Sequence, residues 1–377
     1  MKIAYLSAFF PYGGYETKFN EELLKTLKDK FPTEAFLFYR KYPVTLFPGK
    51  KHDSSKTEEI DGIDAITIMN TLDPVSSYKA ANKIFSFKPD VLVSKFSNIS
   101  FMPSIGDVVH LTHERGIPSI CLINSNFPND LINGENRLLK FYLDQFDSII
   151  AASDFIREQL TKINYFGEIE VFPHPVFKEM ADMHDKKMSR DKLGLPEDNL
   201  VILYPVLNSQ KPDLNALSKI ISKTGNDVHF LIAVETREAF DELMGFIQNN
   251  KLEDRVDIHQ KSFFANEIAD FFSASDIGIL KYTENNDTIL NSLCLNYELP
   301  VMITKDSIYS GVVSQYKTGI ITQELSSKEI SDIIKKIQKD NILQNIRKNI
   351  TKARSGLSWQ SLANRLEEVF KSMTKSN

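Results

Sequence analysis

The feature that most constrains the fold of this chain is a repeated alternation of two patterns. Short apolar runs bounded by turn residues are followed by longer segments whose apolar residues recur every three to four positions. The first pattern is typical of buried strands and the second of amphipathic helices. Strands that alternate with helices predict a parallel sheet covered by helices. The alternation starts again near residue 193, and 377 residues suffice for two cores. The sequence therefore predicts an α/β protein with two Rossmann-like domains, an inter-domain cleft and C-terminal helices.

The first domain is predicted over residues 1–177. Its first helix carries apolar residues on one face: Phe19, Leu23, Leu24, Leu27 and Phe31. Strands are predicted at 2–9, 34–39, 64–69, 90–94, 119–124, 148–152 and 168–172. Further helices are predicted around 77–87, 105–115, 138–146 and 154–162.

A charged stretch at 178–192 has no strand pattern and is predicted to be the linker. The second domain is predicted over 193–357. Its strands are predicted at 201–205, 228–234, 255–258, 277–280, 301–303 and 319–321. Its helices are predicted at 214–224, 237–249, 267–274 and 288–296, with more helix in the tail. Residues 358–377 are predicted to form a helix that packs back toward the first domain.

Composition narrows the function class and the compartment. The formal net charge of -5 argues against a nucleic-acid partner, because phosphates need a basic face. The two cysteines, Cys121 and Cys294, lie in apolar runs, which fits a reducing compartment. No apolar stretch reaches the roughly 18–20 residues that span a bilayer. The chain is predicted to be cytoplasmic. A basic run from residue 328 to 354 allows peripheral contact with anionic lipid at the inner face of the membrane, although a solvated helix face is the better explanation.

Several strings carry a family resemblance in their order and spacing. The second domain opens with RDKLGLPEDNLVILYPV, the first with MKIAYLSAFFPYGGYETKFNEELLKTL. SIIAASDFIREQL, EIEVFPHPV, SASDIGILKY, ELPVMIT and GLSWQSLANRLEEVF follow in the same order as in the family. Together they resemble the GT-B glycosyltransferases of glycosyltransferase family 4, over essentially the whole chain.

The resemblance implies transfer of a sugar from a nucleotide-diphosphate donor to a polysaccharide or glycolipid acceptor, that is, a saccharide or lipid-linked acceptor. It implies retention at the anomeric carbon, and no metal or other cofactor. The donor would bind mainly the second domain and the acceptor mainly the first. The sequence also contains no Asp-x-Asp pair and no zinc-type spacing. Without a metal, helix N-termini, backbone amides and cationic side chains must stabilise the diphosphate.

Four positions are donor-phosphate candidates. Gly13 and Gly14 follow the first strand, where backbone amides can approach a phosphate, although an ordinary turn explains them as well. Lys211 lies where the family places its phosphate-binding lysine. Asp287 is a good N-cap for the next helix.

Two helix residues and one carboxylate complete the donor candidates. The amides of Thr288 and Ile289 would face a phosphate at the start of a helix that also packs into the core. Glu235 ends a strand and can meet the nucleoside.

Acceptor and catalytic candidates lie at other strand ends. Tyr15 and Glu16 follow the glycine turn, and Glu16 can accept a hydrogen bond from a sugar hydroxyl. His174 ends the last strand of the first domain and can contact either substrate. The resemblance places Asn124 where the family often has histidine. Glu284 lies one position from the first glutamate of the family's pair.

The family pattern is broken at several places. Counting back from Pro300 puts the two glutamates at Asn285 and Leu293, and the family's glycine at Glu298. Val206 stands where the family has an arginine. Two alternatives therefore stay open: a non-catalytic GT-B binding or partner subunit, and a nucleotide-sugar epimerase.

Overall fold

The chain is divided into two compact units in a computed structural model. The model describes residues 1–7, 15–40, 65–97, 99–127, 132, 137–178, 180–207, 212–263, 265–280, 288–324 and 326–375. The first unit comprises Met1–Pro173 together with Trp359–Asn377, and the second comprises His174–Ser358. Each unit contains one parallel sheet.

The first sheet contains seven described strands. They are β1 (Ile3–Leu6), β2 (Thr33–Arg40), β3 (Ala65–Asn70), β4 (Val91–Lys95), β5 (Ser119–Ile123), β6 (Ser148–Ala151) and β7 (Glu168–Val171). They are all parallel, in the order β3-β2-β1-β4-β5-β6-β7. The helices between them are α1 (Tyr15–Lys30), α2 (Pro74–Phe87), α3 (Met102–His113), α4 (Arg137–Leu143) and α5 (Asp154–Lys162). The 3-10 turn Ile99–Phe101 precedes α3.

The second sheet contains six described strands. They are β8 (Leu200–Val206), β9 (Val228–Val234), β10 (Val256–Gln260), β11 (Ile277–Ile279), β12 (Val301–Thr304) and β13 (Gly319–Thr322). They are parallel in the order β10-β9-β8-β11-β12-β13. The helices are α6 (Lys186–Leu193), α7 (Leu214–Ser222), α8 (Arg237–Asn249), α9 (Ile268–Ala274), α10 (Ile289–Asn296), α11 (Ser310–Tyr316), α12 (Ser327–Lys339) and α13 (Ile342–Gly356). The last helix, α14 (Trp359–Lys375), belongs to the first unit.

The strand order gives each sheet a position where ligands bind. In both sheets the order reverses beside the first strand of the unit, between β1 and β4 and between β8 and β11. Open parallel sheets bind ligands outside the carboxyl ends of the strands at this switch point. The prediction of two Rossmann-like α/β domains is confirmed. None of the described helices combines the length and apolar character needed to cross a bilayer.

The second unit begins earlier than its predicted start at residue 193. Part of the predicted linker, 178–192, is the helix α6, which lies inside the second unit. The buried Arg190 side chain holds it there by donating to the Ala274 carbonyl (3.0 Å) and to Asp276 (2.8 Å). The stretch lacks a strand pattern because its contacts are polar, and a charged segment with such contacts is structural.

Candidate functional site

A lysine and a serine flank the switch point of the first sheet. Ser7 directly follows β1, and Lys95 is the last residue of β4, the strand beside it. Only 2% of Lys95 is exposed, and its Nζ lies 5.4 Å from the centre of the Phe19 ring. Neither residue is among the sequence candidates. A cation buried at a ligand-binding edge can contact an anionic or polar substrate.

Glu16 lies in the first turn of α1 and reaches the same edge. Ser97, two residues after β4, donates a hydrogen bond from its Oγ to the Glu16 carboxylate. Burial raises the pKa of Tyr5 well above its usual value, and the charge of Glu16 adds to this rise. The neutral Tyr5 hydroxyl donates to Asn20 Oδ1 over 2.7 Å. The structure therefore places the Glu16 carboxylate beside the carboxyl end of β4.

Asn124 directly follows β5, the neighbour of β4. Both Asn124 and Asn126 are buried. The side-chain amide of Gln159 fixes the loop that carries them, because it accepts from the Phe127 amide (2.9 Å) and donates to the Phe127 carbonyl (3.0 Å). The sequence candidates Glu16 and Asn124 thus lie along one edge of the first sheet.

His174 lies in the second unit and is buried. Its Nδ1 donates to the Pro175 carbonyl over 2.7 Å, and its ring centre is 5.0 Å from that of Phe177.

Helix α10 holds the segment that follows His174. Ser292 Oγ donates to the Pro175 carbonyl over 2.6 Å. The Asn296 amide bonds both the N–H and the carbonyl of Phe177, over 2.8 and 2.7 Å. The N-terminus of α10 is itself a predicted phosphate site, so His174 is tied to a donor-site element.

The first turn of α10 forms part of the carboxyl edge in the second unit. Thr288 precedes the helix, Ile289 begins it, and both are buried. The first N–H groups of a helix have no intrahelical acceptor, so a buried first turn suits an anion. Asn291, in the first turn, is also buried, and its Oδ1 has no hydrogen-bond partner among the described residues. The sequence analysis did not select Asn291. A buried amide oxygen of this kind can accept a ligand hydroxyl.

Glu235 follows β9 and acts on the neighbouring loop. Its Oε1 accepts from the Phe263 amide over 3.3 Å, and its carbonyl accepts from Gln260 Nε2 at the same distance. The carboxylate therefore shapes the loop after β10, which lies at the same sheet edge.

Several sequence candidates lie outside the described residues. These are Gly13, Gly14, Lys211, Glu284 and Asp287. For Tyr15 the structure gives the backbone, which begins α1. These assignments stay predictions from the sequence.

Several positions that depart from the family pattern lie within the described residues. Val206 and Leu293 are both buried apolar residues in the core of the second unit. Glu298 adopts φ 50°, a left-handed conformation that favours glycine. The position that the resemblance assigns to the family's glycine thus has a glycine-like backbone, and a core leucine stands at the position that the resemblance assigns to the ribose-binding glutamate.

Substitutions at Glu298 are expected to separate backbone strain from side-chain contacts. Glu298 Oε1 accepts from Arg354 and from Thr351, each over 3.2 Å. A partly exposed ion pair contributes about 0–1 kcal/mol, and the left-handed conformation costs a non-glycine residue roughly 1–2 kcal/mol. We expect Glu298→Gly to be within about 1 kcal/mol of the parent and Glu298→Ala to be less stable than Glu298→Gly. Urea unfolding of the three proteins measures this, and an alanine variant as stable as the glycine variant would contradict it.

Two described cavities lie away from these edges. One, of about 690 Å³, is lined by Asp90, Asp147 and Glu168, which lie at the amino ends of strands in the first sheet. A second, of about 610 Å³, adjoins the start of β8. Within the described ranges, no group of three or more His, Cys, Asp or Glu side chains is arranged to hold a metal ion.

No protein-family model matches the sequence, and the search of curated proteins gave no match. Solved structures are similar over the full length. A glycosyltransferase from Rickettsia africae ESF-5 gives a TM-score of 0.72 at 16% identity, covering 100% of both chains. Sucrose-phosphate synthase from Thermosynechococcus elongatus gives 0.70 at 14% identity, also covering 100% of both. HepE from Anabaena, in complex with UDP and glucose, gives 0.70 at 15% identity, covering 99% of this chain and 100% of its own. At such identities the similarity establishes the fold, which confirms the GT-B architecture that the sequence resemblance implies.

Proposed function

We propose that this chain is a glycosyltransferase that moves a sugar from a nucleotide-diphosphate donor to a polysaccharide or glycolipid acceptor, with retention and without a metal. The observation that carries the proposal is the full-length match of both sheets to several sugar-nucleotide enzymes. HepE was solved with UDP and glucose, and the Escherichia coli trehalose-6-phosphate protein was bound with UDP-2-fluoro glucose. Binding of such a donor is the shared chemistry that we extend to this chain.

The second unit would bind the donor. Thr288 and Ile289 put the first turn of α10 at the carboxyl edge, where amides and the helix dipole favour a diphosphate. Lys211 would supply the compensating positive charge, and the Asn291 oxygen would accept a hydroxyl of the nucleoside or sugar. The helix amides and the Lys211 ammonium group would stabilise the charge that develops on the leaving diphosphate as the bond between the anomeric carbon and the diphosphate oxygen breaks.

The first unit would bind the acceptor. The Glu16 carboxylate accepts a hydrogen bond from Ser97 and keeps further lone pairs that can accept from sugar hydroxyls. Asn124 lies two strands from β1 on the same edge. Strands β4 and β5 are paired in the sheet. Side chains at their carboxyl ends can therefore hold the acceptor hydroxyl in a constant orientation.

Replacement of Glu16 by glutamine is expected to lower kcat/KM for the acceptor about tenfold to a hundredfold, because a charge-assisted hydrogen bond contributes about 1.5–3 kcal/mol. Donor binding should be unchanged. Steady-state kinetics with variable acceptor, and calorimetry with nucleotide, measure the two effects. Asp29→Asn, which removes the same charge from an exposed position at the other end of α1, is the matched control. Equal losses in both variants would contradict the assignment.

The general activity is tested by mass spectrometry of products. The protein is incubated with UDP-, GDP- and ADP-sugars, with and without oligosaccharide or lipid-linked acceptors. The proposal expects a glycosylated acceptor and one released nucleoside diphosphate per transfer. An altered sugar formed from donor alone would instead identify an epimerase.

One observation favours a second candidate, a non-catalytic GT-B binding subunit. Leu293 is fully buried at the position that the resemblance assigns to the ribose-binding glutamate. A chain without this carboxylate has lost one donor contact. Nucleotide binding without product for any acceptor would support this alternative over the transferase.

A further inference from the structure

Helix α2 presents one fixed face to the interior of the first unit. Ser77 Oγ donates to the Ser104 carbonyl in α3 over 3.3 Å, a short link between the two helices. Asp73 caps the helix, since its side chain accepts from the Val75 amide over 3.0 Å. The buried side chains of α2 are Ser76, Ser77, Ala80, Ala81 and Ile84. Because this face is packed, the opposite face is held outward.

The outward face of α2 is apolar. Val75, Tyr78 and Phe85 are 57%, 54% and 45% exposed, and Leu72 just before the helix is 54% exposed. The helical residues are three and seven positions apart, so they lie along one side. Scattered apolar residues on a surface are ordinary, but an aligned row of large ones marks an interaction surface.

The charged residues of helix α2 itself are all basic, and the carboxylate of Asp73, just before the helix, caps its N-terminus. Residues 74–88 include Lys79, Lys83 and Lys88 and no acidic residue. Arg115, just after α3, adds a further cation: its guanidinium lies 5.0 Å from the centre of the Phe85 ring and donates to Asn82 Oδ1 over 2.7 Å. The surface therefore combines large apolar side chains with a basic border.

We propose that the outer face of α2 docks on an anionic lipid bilayer. The apolar side chains would enter the boundary between headgroups and acyl chains, with the Tyr78 hydroxyl and the lysine ammonium groups at the headgroups. Juxtamembrane lysines are attracted by anionic lipid. A second copy is the less favourable occupant, because pairing two such helices brings lysines against lysines. The proposal is independent of the transferase activity, since it concerns binding without turnover.

The basic run of the C-terminal helices lacks the apolar half of this surface. On α12 the isoleucines Ile330, Ile334 and Ile337 are buried in the second unit. Among the described residues of α12 and α13, no large apolar side chain is exposed. The proposed lipid contact therefore lies on α2 and not on the predicted basic run of residues 328–354.

Sedimentation of the full-length chain with vesicles tests the proposal. We expect binding to vesicles of about three parts phosphatidylcholine to one part phosphatidylglycerol, and little to phosphatidylcholine alone. Lys79→Glu with Lys83→Glu should weaken binding at least about tenfold. Lys335→Glu with Lys336→Glu, an equal charge change on exposed residues of α12, should leave it unchanged. No binding by the parent, or equal losses in the two double variants, would overturn the proposal.

A fluorescent reporter tests lipid contact without changing the charge of the surface. The sequence has one tryptophan, Trp359, which is fully buried and gives a constant background. In Tyr78→Trp the emission should shift to the blue on anionic vesicles and be quenched by brominated lipid. Ile321→Trp, at an exposed position of the second unit, should show neither effect. A blue shift of Tyr78→Trp on raising the protein concentration without lipid, with dimers in light scattering, would identify an interface between copies and refute lipid docking.

Discussion

Replacement of Arg190 by alanine is expected to destabilise the second unit by about 3–5 kcal/mol. It leaves a buried carboxylate and several carbonyl groups without the guanidinium that they contact. The guanidinium is buried and contacts both a carboxylate and carbonyl groups. Its NH2 donates to Asp276 over 2.8 Å, and its Nε donates to the Ala274 carbonyl over 3.0 Å. Its NH1 donates to the carbonyls of Pro196 and Glu197.

In the Arg190→Ala protein Asp276 loses its buried cationic partner. Its carboxylate also accepts from the Val201 amide at the start of β8 over 2.8 Å, and pairs with Lys186. The Asp276 carboxylate, in the segment before β11, therefore links helix α6 to strand β8. Lysine cannot replace Arg190, because it lacks the planar fork that reaches several acceptors at once.

Unfolding in guanidinium chloride, followed by circular dichroism, measures the effect. Tryptophan fluorescence provides a second signal, because Trp359 is the one tryptophan of the sequence and lies in the first unit. We expect the Arg190→Ala transition to move much further by dichroism than by fluorescence. Lys187→Ala, on the same helix with an exposed partner, Glu197, should leave both transitions unchanged. An Arg190→Ala protein as stable as the parent would contradict the role assigned to this cluster.

Replacement of Trp359 by alanine is expected to destabilise the first unit by about 3–5 kcal/mol, the usual cost of removing a buried aromatic side chain. Trp359 is the first residue of α14 and is fully buried. Its ring is edge-on to that of Phe19 in α1, with 4.9 Å between centres. Phe19 lies in turn beneath the Lys95 ammonium group at the switch point. The substitution therefore opens a cavity under the α1 segment that carries Glu16.

Circular dichroism during urea unfolding is the suitable measurement, because Trp359→Ala has no tryptophan. Phe166→Ala is the control, since it removes an aromatic ring that is 86% exposed. The control should unfold with the parent. Equal midpoints for Trp359→Ala and Phe166→Ala would show that α14 is not anchored by its first residue.

Most of the fold can be predicted from local sequence signals. Strand β9 and helix α8 lie at their predicted bounds, 228–234 and 237–249. The strand is a continuous apolar run, and the helix has a Thr236 cap whose side chain accepts from the Ala239 amide. Helix α11 is not predicted, because Val313 is its one buried residue and its sequence shows no apolar stripe.

The domain-opening string shows why the linker is harder to predict than its neighbours. Gly194 at φ 70° ends α6 in a left-handed cap, and Leu195 is buried. The local pattern therefore indicates where the helix stops. The attachment of α6 through Arg190 depends on residues about eighty positions later in the chain, and such contacts leave no periodic signal.

The candidate site is only partly predictable for the same reason. Glu16 could be selected because its place after the first strand is a local property. Lys95 ends the run VLVSK, and nothing in that run distinguishes an exposed lysine from a buried one. Its burial depends on tertiary contacts such as that with Phe19 in α1, a residue distant in sequence. Asn291 likewise becomes a candidate only when the burial of its side-chain oxygen, and its lack of a partner within the described part of the chain, are known.

The proposed function requires that the second unit bind a nucleoside diphosphate through backbone amides and a lysine, without a metal. Calorimetric titration of UDP, GDP and ADP into the full chain, with EDTA and again with Mg²⁺, tests it most directly. We predict saturable binding of at least one nucleotide with the same affinity in both buffers. In Lys211→Ala the affinity should fall about tenfold to a hundredfold, and in the exposed control Lys219→Ala it should not change. Absence of binding in EDTA, or unchanged affinity in Lys211→Ala, would contradict the claim.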